Sequence, residues 1–136
     1  MHLNLAFHID FDGRCEEAFQ FYTESLGGVI GSTFRYIDSP MVDKLIEEWH
    51  QKIVHADITI GNIQLTGADV SKENYKTPQG FNLLLGLKSE SEVKEKFSLL
   101  ELHGKVVFPP QKTFWSPCYS IVVDRFGIPW KLNCGT

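Results

Sequence analysis

"LNLAFHIDFDGRCEEAFQFYTESLGG", residues 3–28, returns in altered form as "FNLLLGLKSESEVKEKFSLLELHG", residues 81–104. In the first copy Leu3, Leu5, Phe7, Ile9 and Phe11 alternate with Asn4, Ala6, His8 and Asp10. That alternation is the pattern of a strand with one buried face. A helical period then takes over through Ala18, Phe21, Tyr22 and Ser25/Leu26, and Gly27-Gly28 stops it. The second copy starts as a short apolar strand. A helix follows with Ser89 or Ser91 as N-cap, Val93, Phe97 and Leu100 on one face, and Gly104 at its end. Phe21 to Gly28 and Phe97 to Gly104 cover the same helix-to-strand step.

Working outward, each copy is followed by three more strands. In the first half these are a strand near Val29–Tyr36 and a hairpin, "HADITIGNIQLTG" (55–67), turning at Gly61-Asn62. In the second half they are "KVVFPP" (105–110) and the closing pair "YSIVVDRFGIPWKLN" (119–133), which corners at Gly127. Asp124 is expected to accept backbone hydrogen bonds inside that corner. The chain therefore reads as an internal duplication, strand–helix–strand–strand–strand twice. The expected fold is α+β, a single domain of two βαβββ modules whose curved mixed sheets enclose a cleft. Module one takes residues 1–68, a polar linker 69–80, and module two 81–134. The extra piece "PMVDKLIEEWHQ" (40–51) places Leu45, Ile46 and Trp49 on a helical stripe, read as an edge helix, a lid or a dimer contact.

Bulk properties narrow the function. A chain of 136 residues that is 43% apolar and 22% charged should fold around a core. Its net charge of −4, with no Lys/Arg cluster, argues against nucleic acid. No run of about 18 apolar residues is present, so no membrane partner is expected. The N-terminus lacks the basic start of a signal peptide. Cys15, Cys118 and Cys134 are odd in number and form no CxxC pair, which points to free thiols in a reducing cytoplasm.

One helix per module can cover only one face of each sheet. The other face collects the polar residues Asn4, His8, Asp10, His55, Asp57, Thr59, Gln64, Thr66, Asn82, Lys131 and Asn133. Such a face suits a ligand site if enclosed and solvent if open. His8 and His55 are acid–base candidates, with Asp10 and Asp57 two residues further along their strands. Phe114, Trp115 and Tyr119 of "TFWSPCYS" are candidates for an aromatic cavity wall, with core packing as the alternative. Cys118 reads as structural, since no His lies near it in sequence.

The pieces "FDGRCEEAFQFYTESLGG" (11–28), "VHADITIGNIQLTGAD" (54–69) and "TFWSPCYSIVVDRFGIPWKLN" (113–133) together resemble the vicinal oxygen chelate superfamily of glyoxalase I, bleomycin-resistance proteins and extradiol dioxygenases. The closest resemblance is to its PhnB-like branch, often labelled 3-demethylubiquinone-9 3-methyltransferase-like. That label finds no support in the residues, because no Gly-rich strand-to-helix loop for a nucleotide methyl donor is present.

The resemblance implies a metal site on the first and last strands of each module. Here those slots hold His8, Gln64 or Thr66, Asn82 and, in place of a Glu, Lys131. A protonated Lys repels a cation, so no metal and no other cofactor is expected. A snorkelling Lys131 is the plain alternative. The leading reading is a small-molecule-binding PhnB-like protein without the usual metal, with turnover left open. The alternatives are a divalent-metal lyase, isomerase or dioxygenase resembling glyoxalase I, and a drug-sequestering resistance protein. The resemblance and the many aromatics also imply a homodimer.

Overall fold

The computed structural model describes residues 3–135. The chain divides into two compact units, one ending at Lys76 and the other beginning at Thr77. The first unit contains β1 (Phe7–Phe11), α1 (Cys15–Leu26), β2 (Val29–Arg35), β3 (Ile53–Ile60) and β4 (Ile63–Asp69). The second contains β5 (Leu83–Leu87), α2 (Glu90–Leu100), β6 (Lys105–Gln111), β7 (Tyr119–Val123) and β8 (Pro129–Cys134). Strand order is β1-β4-β3-β2 in one sheet and β5-β8-β7-β6 in the other. In both, the first strand runs parallel to the last and the remaining pairs are antiparallel. The fold is thus α+β, with the duplication repeated in order, direction and pairing.

Each helix covers one sheet face, as amphipathicity requires. Cys15, Ala18, Phe19 and Tyr22 of α1 are buried with Ile9, Phe11, Ile58 and Leu65. Phe19 holds the place expected of Phe21, because the buried stripe runs 15, 18, 19, 22, 25. The contact is close: a Cβ on Gly67 would lie 2.8 Å from the Phe19 ring. In the second unit Val93, Phe97 and Leu100 are buried with Val122, Trp130 and Leu132.

Element ends differ from expectation for local reasons. β1 begins at Phe7, not at residue 3, and Leu3 and Leu5 are 85% and 94% exposed. Alternation makes a strand only where the apolar face finds cover. Gly27 ends α1 in the left-handed region at φ 71° and returns its N–H to Thr23. Gly104 does something else. α2 stops at Leu100, the left-handed residue is His103, and a Cβ on Gly104 would sit 2.3 Å from the Val123 carbonyl oxygen. Ser89 is the N-cap, accepting from Glu92 N–H. Pro109 and Pro110 are tolerated in β6 because that strand is an edge.

The 40–51 helix does not form. Two single 3₁₀ turns, Val42–Lys44 and Glu47–Trp49, are separated by extended backbone at Leu45 and Ile46. Trp49 instead meets Tyr36 edge-on, with ring centroids 5.7 Å apart. Among the described residues no helix is long and apolar enough to cross a membrane.

Candidate functional site

The helix-free face of the first sheet is polar because β1, β3 and β4 alternate in step. Register places His8 beside Thr66, and Thr66 beside Asp57. His8 Nδ1 lies 2.6 Å from Thr66 Oγ1, and Nε2 lies 3.1 Å from Asp10 Oδ1. An ionised Asp10 only accepts, so with a neutral ring Nε2–H donates to it. Nδ1 then accepts the Thr66 hydroxyl proton. His55 lies parallel to His8, ring centroids 6.5 Å apart. The site is half open to solvent, with both side chains of the His8–Asp10 pair about half exposed. Such an arrangement can accept a proton from a ligand or pass one, with Asp10 holding the ring in place.

Asp57 is on the same face, its carboxylate turned toward β2. Its Oδ1 accepts from Ser32 N–H at 2.9 Å across the irregular β2–β3 pairing. A Cβ on Gly31 would come within 2.2 Å of its Oδ2, so Gly31 leaves the carboxylate its room. Gln64 Nε2 reaches Asp57 at 3.5 Å. The carboxylate thus links β3 to β2 and, through Gln64, to β4.

On the second sheet the helix-free face carries Leu84, Ile121 and Lys131 in one row, then Gly86, Tyr119 and Asn133 in the next. Asn82 precedes β5 and is exposed, so Leu84 is the residue paired across from Lys131. Tyr119 sits between two aromatic rings, Phe108 at 5.9 Å and Trp115 at 5.1 Å. Phe114 continues the run against Trp115 at 4.8 Å. An open hollow of about 530 Å³ lies along residues 112–117 and Glu90. Asn133 is the residue the sequence reading put on this face without singling it out. It is only 6% exposed, and its Oδ1 has no hydrogen-bond partner. The available signal was its place two residues beyond Lys131 on an alternating strand.

Two buried carboxylates hold the frame. Asp69, expected at the start of the linker, closes β4 and is buried. It accepts from Cys15 N–H at 2.9 Å and Ile53 N–H at 2.8 Å. Burial pushes its carboxyl above the ordinary range, partly offset by these N–H donors and by Lys52. Asp124 accepts from Phe126 and Ile128 N–H and from Trp130 Nε1, all inside the corner around Gly127. The thiols are structural: burial pushes Cys15 and Cys118 up, away from the reactive thiolate.

The donor set does not fit the divalent ion that the family resemblance implies. His8 has both ring nitrogens engaged, Lys131 is a cation, and the other slots offer an amide and a hydroxyl. Within either unit, no three His, Cys, Asp or Glu side chains converge among the described residues.

Comparison with known proteins agrees with the fold. Residues 7–132 match the family model described as Glyoxalase/Bleomycin resistance protein/Dioxygenase superfamily. Protein YjdN of Escherichia coli strain K12 is 26% identical over 134 residues, covering 93% of this chain and 91% of that protein. The crystal structure of protein PA1353 from Pseudomonas aeruginosa superposes with a TM-score of 0.86 at 31% identity, covering 98% of both chains. A PhnB protein from Bacillus cereus superposes at 0.84 with 21% identity, covering 98% of this chain and all of that one, a likeness of fold.

Proposed function

Since this chain belongs to the glyoxalase/bleomycin resistance/dioxygenase superfamily, we propose that it binds a small organic molecule on the helix-free face of its second sheet, without a divalent ion. The observation that carries the reading is the row on β8. Where a metal ligand would be needed stands the ammonium of Lys131, and beside it a buried amide, Asn133, and the aromatic flank of Tyr119. These groups suit hydrogen bonding, charge and ring contacts to an organic ligand. The first sheet's own helix-free face offers separate acid–base chemistry: Thr66 Oγ1 can take a proton from a molecule bound there while its own hydroxyl proton passes to His8 Nδ1, with Asp10 holding the ring. Binding should therefore survive a chelator. Protein purified without chelator is assayed for metal content, and its thermal shift is read against a small-molecule library with and without EDTA. About one equivalent of zinc, nickel, iron or manganese, lost in His8→Ala, would overturn the metal-free reading.

The proposal extends to pairing of two copies in a reducing compartment. In the second unit Phe114 is 98% exposed and Trp115 is exposed beside it, and in the first unit Phe34 and Ile46 are exposed, apolar side chains of the kind that isologous contacts cover. Sedimentation at micromolar concentration should give twice 15.5 kDa. A single species at 15.5 kDa at every concentration would remove the pairing and leave the ligand reading intact.

A further inference from the structure

We infer that the second sheet's face selects a small carboxylate bearing a hydroxyl or N–H close to the acid group, bound between Lys131 and Asn133. This deepens the proposed function and rests on it. The first observation is charge. Lys131 is half-buried on a strand interior, and no ion pair or hydrogen bond to it occurs among the described residues. None of the four strands β5, β6, β7 and β8 carries an Asp or a Glu. The nearest acid in sequence, Asp124, is turned to Phe126, Ile128 and Trp130. An ammonium partly removed from water without a counter-charge is costly, and an anionic ligand supplies that charge.

The second observation is independent of charge. Asn133 shares the face of Lys131, two residues along β8, and its buried Oδ1 accepts nothing. A buried acceptor without a donor costs free energy that a ligand hydroxyl or N–H recovers. Two residues of strand put the backbone positions of Lys131 and Asn133 roughly 6.6 Å apart. One small molecule can therefore reach both. Tyr119 lies directly across from Asn133, and Gly86 on its other side contributes no side chain. The ligand's body then has room beside Asn133, against Tyr119 and Trp115.

Four neighbours explain why Lys131 is not simply a surface lysine. Trp130 and Leu132 on either side are buried beneath the sheet, and Ile121 and Leu84 flank it across the strands. The stem is held by apolar neighbours while the head lies on the face that bears Asn133.

The test is a titration followed by amide NMR, with Gly86, Tyr119 and Asn133 as reporters. The probes are small aliphatic and aromatic 2-hydroxycarboxylates and N-acylamino acids, each beside its methyl ester and its deoxy acid. At least one acid should saturate the wild type. Its affinity should fall about tenfold or more on esterification or in Lys131→Met, and stay within severalfold in Lys131→Arg. Loss of the hydroxyl or N–H should weaken binding about fivefold. Equal affinity for acid and ester, or no change in Lys131→Met, overturns the inference while small-molecule binding stands. If no acid binds but neutral library members do, the inference also fails alone. If nothing binds, both the inference and the proposed function fail.

Discussion

Asp124→Ala is expected to cost the second unit on the order of 3–6 kcal/mol, because it strands three buried donors at about 1–3 kcal/mol each with some relaxation. The donors are the Phe126 and Ile128 N–H groups at 2.8 and 3.0 Å and Trp130 Nε1 at 2.9 Å. A typical domain has only about 5–15 kcal/mol to lose, so the variant should be largely unfolded at physiological temperature. Asp124→Asn should lie between the two. One amide oxygen can still serve the turn, but the other end presents N–H to the Trp130 N–H. Urea denaturation followed by tryptophan emission reads this directly, since Trp130 is buried and should supply the blue-shifted signal. An alanine variant within about 1 kcal/mol of wild type would mean that water replaces the carboxylate at no cost.

The second large effect is at Asp69, whose carboxylate ties the first residue of α1 to the first of β3. Asp69→Ala should cost about 2–5 kcal/mol for two stranded buried N–H groups. Asp69→Asn isolates the charge. Burial raises this carboxyl's pKa in the folded chain, so the folded state holds the proton more tightly than the unfolded one. Stability from that proton is complete below the unfolded value of about 3.9 and is lost as pH rises through the raised folded value. Wild type should therefore lose stability across the range just above pH 4 while Asp69→Asn does not. The wild-type advantage over Asp69→Asn should narrow as pH rises there. Denaturation midpoints at a series of pH values check the sign, and an advantage that widens would contradict it.

The two aspartates show how uneven the sequence signal was. Asp124 was readable as a corner residue because Gly127 follows it closely and strands lie on both sides. Asp69 looked like the start of a polar linker, because "DVSKENYKTPQG" is polar as a block. Its partners lie 54 and 16 residues away, and nothing local marks a carboxylate that will be buried. The 40–51 segment failed in the opposite sense. Its apolar spacing suited a helix, but Leu45 and Ile46 are extended and Trp49 packs on Tyr36 instead.

The sequence by itself determined the order of elements, the duplication, and the face each strand residue takes. It did so because side-chain direction follows backbone period, which is local: Ile9 and Phe11 turn to the helix, His8 and Asp10 away from it. Lys131 and its conflict with a metal site were legible for the same reason. Only the tertiary structure decided which residues on those faces meet. The parallel pairing of β1 with β4 sets Thr66 against His8 across 58 residues. The β2–β3 irregularity brings the Ser32 N–H to Asp57. Packing buried Asn133 while leaving its oxygen without a donor. Registers between distant strands, and the cost of each buried polar atom, depend on the whole sheet being assembled. No window of sequence contains them.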